Sequence, residues 1–115
     1  MSGQDIDAVQ RWLGHALPAH YLSFIKDWQE GLRGEQVLLY GLESLRERNE
    51  TYDVQQCCPG YMTIGDDSGA RAVMLALDGG DRAVYLAGHG SMRRDDFERA
   101  ADDFHAWLAA DCPVD

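Results

Sequence analysis

Apolar positions change their period midway along the chain, from helical spacing in the first half to strand-like runs in the second. Ile6, Val9 and Leu13 recur at helical spacing with Trp12 beside them, which predicts a helix over residues 5–13 stopped by Gly14. Leu17 and Pro18 punctuate the chain, and Pro18 suits the first position of a second helix, where its missing N–H costs nothing. Tyr21, Leu22, Ile25 and Trp28 form the stripe of that helix, which Gly31 or Gly34 ends. Residues 37–40 are a short β-prone run turned by Gly41. From Leu42 to about Tyr52 a weaker helical stretch alternates Glu43, Glu47 and Glu50 with Arg46 and Arg48, as a solvated face does.

Residues 61–65 then read as a strand, followed by the turn signal Asp66-Asp67-Ser68-Gly69. Residues 72–77 are continuously apolar, as expected of a strand buried on both faces. Asp78-Gly79-Gly80-Asp81 is a hairpin turn, and residues 83–87 are a second continuous apolar strand. Three strands joined by two tight turns predict an antiparallel meander. A last helix is expected from Asp95 or Asp96, with Phe97, Ala100, Phe104, Trp107 and Leu108 as the stripe that packs on the sheet. The fold class is α+β: an antiparallel β-meander with N-terminal helices and a C-terminal helix packed on it, in one domain over residues 1–115.

Length supports this, because 115 residues allow one continuous core and are too few for two. No apolar run approaches the ~20 residues of a membrane helix. The first residues are acidic and lack an apolar segment, so the expected compartment is the cytoplasm. Charge narrows the picture further. Twenty acidic residues against ten basic ones give a net charge of -10, which disfavours nucleic acid and would steer a basic partner. The same charge also serves solubility.

The chemistry-bearing residues form no catalytic set. Asp66 and Asp67 lack the spaced oxygen ligands of a calcium loop, and a solvated turn is the simpler reading. Alternatively they join Asp78 and Asp81 in an acidic contact patch. His89 between two glycines has no nucleophile motif or second His at ligand spacing, and His15, His20 and His105 suit structural or surface roles. A small hydrolase using Asp66, Asp67 and His89 is the weakest of the functional readings. The glycine pairs are not phosphate loops, and no cofactor or metal is called for. Cys57, Cys58 and Cys112 form no C-x-x-C pair and read as small apolar fillers. Trp12, Trp28 and Trp107 fall on helical stripes and are expected in the core. Trp28 is the most ambiguous, because Asp27, Gln29 and Glu30 surround it near a helix end. An aromatic edged by carboxylates suits a basic partner, so Trp28 and Glu30 are contact candidates with Asp66, Asp67, Asp78 and Asp81.

The order of motifs also carries a likeness. Leu17-Pro18-x-x-Tyr21-x-x-Phe24 opens a helix ending at Gly31, and Leu39-Tyr40-Gly41-Leu42, Asn49-x-x-Tyr52 and Pro59-Gly60-Tyr61 follow. Next come Ile64-Gly65-Asp66-Asp67-Ser68-Gly69, Val84-Tyr85, His89-Gly90 and Phe104-x-x-Trp107-Leu108. Together these resemble the SUKH superfamily, the SMI/KNR-like fold, over almost the whole chain. The resemblance implies an α+β domain without enzymatic activity. It further implies an immunity protein that binds and neutralises a cognate bacterial toxin such as a nuclease, or a regulatory scaffold in a larger assembly. One departure is visible: the family often continues its Gly-Asp turn with Gly and a polar residue, where this chain has Ala70 and Arg71.

Overall fold

The computed structural model describes residues 2–28, 30–34, 36–67, 71–78, 80–88 and 97–113, with backbone alone for residues 2–5 and Cys57. Helix α1 spans Ser2–Leu13 and α2 spans Ala19–Asp27. Pro18 sits one position earlier than expected, as the extended N-cap of α2 rather than its first residue. Two short strands follow, β1 (Leu32–Arg33) and β2 (Leu38–Leu39), then α3 (Leu42–Thr51) and the single turn α4 (Val54–Cys57). The meander is β3 (Tyr61–Asp66), β4 (Arg71–Ala76) and β5 (Val84–Gly88). A further strand, β6 (Glu98–Ala101), precedes the last helix, α5 (Phe104–Ala109).

The strands form one antiparallel sheet in chain order, β1 to β6. The expected meander is its centre, and β1, β2 and β6 extend it on both sides. The expected helix beginning at Asp95 or Asp96 is corrected in part. Both of those residues lie outside the described residues, whereas residues 98–101 pair with the edge of β5. Local preference in Glu-Arg-Ala-Ala favours a helix, but an unpaired strand edge offers backbone partners that outweigh a few tenths of a kcal/mol per residue. The helix starts later, where Asp103 accepts a hydrogen bond from the Ala106 N–H at 2.9 Å.

That change of period splits the expected stripe. Phe104 and Trp107 enter the main core, whereas Phe97 packs on Tyr61 and Tyr85 on the other side of the sheet. Alternation along the strands makes the two sides distinct. Val73 and Leu75 of β4, with Val84 and Leu86 of β5, meet α1, α2, α3 and α5. Ala72, Met74, Tyr85 and Ala87 meet Val54 and Cys58 instead. Both sides of β4 are thus covered, which is why its run of residues is apolar without interruption.

Asn49 connects α3 to the sheet. Strand β2 pairs with Asp66 and Gly65 only, so the edge of β3 beyond it has no strand partner at Thr63. The Asn49 amide takes that place, accepting from the Thr63 N–H at 3.0 Å and donating to the Thr63 carbonyl at 3.0 Å. It also donates to the Leu45 carbonyl at 2.8 Å, and Gln55 donates to its oxygen at 3.2 Å. A buried side chain here completes a backbone ladder.

The start of α2 meets the start of α5 through two histidines. His105 Nε2 donates to the His20 carbonyl at 2.8 Å. The His20 ring is buried against Phe104, and its Nε2 has no partner among the described residues. Burial first, then the positive charge of Arg82 and of His105, holds the His20 pKa below its ordinary 6.5, with Asp103 and Asp81 opposing. Unfolded chains take up this proton as the pH falls through about 6.5, while the folded chain resists it. The stabilising effect is therefore complete above that pH and is lost as the pH falls through it, at up to about 1.4 kcal/mol per pH unit. Urea midpoints of wild type and His20→Leu between pH 7.5 and 5.5 test this. The variant should show the shallower decline, and equal slopes would assign the acid sensitivity elsewhere.

Candidate partner-binding site

The six contact candidates do not form one patch. Asp66 and Asp67 lie at the β3–β4 end of the sheet, and Asp78 and Asp81 at the β4–β5 end. Six residues of β4 separate them by roughly 16 Å or more. The expectation of a joint acidic patch is corrected here: consecutive hairpin turns in a meander must fall on opposite sheet ends.

Most of these carboxylates also hold their own turns. Asp66 accepts from the Tyr40 hydroxyl at 2.8 Å, and burial, followed by that bond, raises the Tyr40 pKa well above its usual range. Asp67 accepts from both the backbone N–H and Nε of Arg71, the latter at 2.8 Å. Arg71, the departure from the family pattern, thus closes the hairpin on its own aspartate. Asp78 accepts from the Gly80 N–H at 2.9 Å. Asp81 accepts from the Ala83 N–H and from the Tyr85 hydroxyl.

Trp28 and Glu30 are different. Helix α2 ends at Asp27, and Trp28 leaves the helical trace as its C-cap at φ -125° and ψ 54°. The indole is thereby turned off the apolar stripe and is 44% exposed, the one large hydrophobic side chain so exposed among the described residues. Phe24 packs into the core on the same helix. The three tryptophans therefore part company: Trp107 is buried, Trp12 is half-buried beneath Arg46, and Trp28 faces solvent. The reading of all three as core residues holds for Trp107 and is corrected for Trp28 and for Trp12, which lies outside both core clusters. Asp27 and Glu30 are exposed beside it, and the backbone is fixed by hydrogen bonds from the Trp28 N–H to Phe24 and from the Gly31 N–H to Trp28.

Tyr40 relates this corner to the β3–β4 turn. Its backbone lies against Gly31, while its hydroxyl reaches Asp66. The α2 exit and Asp66 accordingly adjoin the same segment, and Asp78 and Asp81 do not. The arrangement offers an aromatic anchor, two exposed carboxylates and the negative end of a helix dipole.

The sequence profile of the SMI1/KNR4 family (SUKH-1) matches residues 1–110. The chain belongs to the SMI1/KNR4 family. No curated protein matches it. The SMI1/KNR4 motifs take visible structural parts: Asn49 completes the β3 edge, Gly31 admits the Tyr40 backbone, and Trp107 fills the core.

Other chemistry is sparse among the described residues. No group of three or more His, Cys, Asp or Glu side chains is placed to hold a metal ion. His89 lies outside the described residues, and Asp66 and Asp67 are engaged as above. Cys58 and Cys112 are buried, and burial, with Asp111 nearby, pushes the Cys112 thiol up to about 11. Such a thiol packs as a small apolar group. No helix among the described residues is long and apolar enough to cross a membrane.

Proposed function

We propose that this chain is a non-enzymatic cytoplasmic protein that binds a basic protein toxin and neutralises it by occlusion. Membership of a family whose bacterial members are often immunity proteins supports the class of function. The observation that carries the reading is Trp28, an exposed indole on a fixed helix end between exposed carboxylates. Aromatic anchors of this kind concentrate binding energy at interfaces, and surrounding acids select a partner of opposite charge. Asp27 and Glu30 flank the anchor, and Asp66, joined to the neighbouring segment through Tyr40, and Asp67 are left as secondary candidates. Asp78 and Asp81, at the far sheet end, are left out.

Co-expression with a basic toxin domain, chosen from any toxin-like reading frame next to this gene, tests the function. Survival of the host and a stable complex are expected; an active effector that kills regardless, with no complex formed, contradicts it. Recovery of several housekeeping partners in place of one effector would favour a regulatory scaffold.

The charge of -10 makes a separate kinetic expectation. Raising salt from 50 to 500 mM should slow association by about tenfold or more while leaving dissociation nearly unchanged, because long-range steering acts on the encounter. Stopped-flow rates that do not vary with salt would make the acidity a solubility device.

A further inference from the structure

The buried His20 ring lies where three elements meet: the start of α2, the start of α5, and the segment between β4 and β5. Phe104, the first residue of α5, places its ring centroid 5.9 Å from His20, 5.9 Å from Tyr21 and 5.7 Å from Phe24. Its N–H donates to the Arg82 carbonyl at 2.8 Å, and the adjoining His105 donates to the His20 carbonyl. The start of α5 is thus seated on α2 around one titratable ring. A proton on that ring finds no acceptor. Nε2 has no partner among the described residues, and Arg82 and His105 add positive charge nearby. The two opposing acids are engaged elsewhere. Asp103 accepts from the Ala106 N–H and from Arg82, and Asp81 accepts from the Ala83 N–H and the Tyr85 hydroxyl. A buried cation without an acceptor is costly, so the charged ring must reach water.

Of the two helices, α5 is the one that can lift without disturbing strand pairs. Helix α2 leads into Gly31, whose backbone lies against the Leu39 carbonyl and the Gly41 nitrogen. Helix α5 begins at Phe104, beyond Ala101, where the pairing of β6 with β5 ends. We propose that this joint is an acid-released latch: a proton on His20 frees α5 from α2 while the six strands stay paired. The open state is a minor one, because Phe104, Trp107 and Cys112 leave the main core in it. Its population rises as the pH falls through about 6.5, where the ring takes up a proton in the open state that it resists in the closed one. Acid thus changes which surface the chain presents, whatever partner it binds.

Native-state hydrogen exchange on the full chain tests the latch, read by nitrogen-15 NMR and corrected for the intrinsic exchange rate at each pH. The Ala110 and Cys112 amides, bonded to the Ala106 and Trp107 carbonyls, report on α5. They should exchange through an opening that low urea does not promote, and faster than the amides of β4 and α2. Between pH 7.5 and 5.5 that opening should become about threefold to tenfold more populated. In His20→Leu, which keeps an apolar group against Phe104, the rise should vanish. Titration of the His20 ring, followed by its Cε1 proton in the wild type, should give a midpoint below about 6.5. Exchange of α5 only together with β4 or with α2, an equal rise in His20→Leu, or a ring midpoint at or above that value would each overturn the proposal.

Discussion

Gly31→Ala should destabilise the chain by about 3–5 kcal/mol. Two costs coincide at this position. The backbone has φ +90°, which L side chains rarely adopt. In addition, a Cβ would fall 2.5 Å from the Leu39 carbonyl oxygen and 2.7 Å from the Gly41 nitrogen, both backbone atoms that cannot rotate aside. Gly14 provides the control. It has a comparable φ of +72° but open space around a would-be Cβ, so Gly14→Ala should cost only about 1 kcal/mol. Urea unfolding of the two variants separates backbone strain from the close approach. Equal losses would mean that the α2 exit does not press against the β2–α3 link as described.

Asn49→Ala should cost about 3–5 kcal/mol, because it strips the buried Thr63 N–H and carbonyl of their partners at once and empties a buried polar site. The Thr63 N–H and carbonyl both depend on this amide, which is 1% exposed, whereas the Leu45 carbonyl keeps its bond within α3. Asn49→Asp is the sharper probe. The carboxylate still accepts from the Thr63 N–H, but it cannot donate to two carbonyls and places a charge against them. It should be at least as unstable as the alanine variant at pH 7. Hydrogen exchange reads the site directly: the Thr63 amide should lose protection in both variants beyond the global change. Retained protection with a loss below 1 kcal/mol would show that the β3 edge has other support.

Much of this architecture is legible in the chain because local signals and tertiary demands agree. The apolar runs of β4 and β5 are continuous because both sheet faces are covered, and Gly80 with Asp78 marks a turn that the backbone then makes. Disagreement arises where partners are distant in sequence. Residues 98–101 look helical until the β5 edge is present to pair with them, and β1 is two residues long, too short to leave a period, whereas β2 falls inside the β-prone run 37–40. The role of Asn49 was visible only as part of a motif, since nothing local says that Thr63 lacks a strand neighbour.

The contact residues were legible in part for a related reason. Composition reveals how many carboxylates exist but not which are engaged in their own turns. Asp67 and Asp81 are, through Arg71 and Tyr85, whereas Glu30 is exposed beside Trp28. Trp28 matched the helical stripe of Tyr21 and Ile25 by spacing alone. Its exposure follows from α2 ending at Asp27, short of the expected stop at Gly31 or Gly34, a boundary that periodicity does not fix.

The central claim is that Trp28 anchors a stoichiometric complex with a basic effector. Calorimetric titration of the basic toxin domain identified by co-expression, against wild type and Trp28→Ala, measures it most directly. The account predicts a one-to-one complex that Trp28→Ala weakens by about thirtyfold or more, with the variant still folded at the titration temperature because the half-exposed indole lies outside the core. An unaltered affinity in Trp28→Ala, or no complex with either protein, would contradict it.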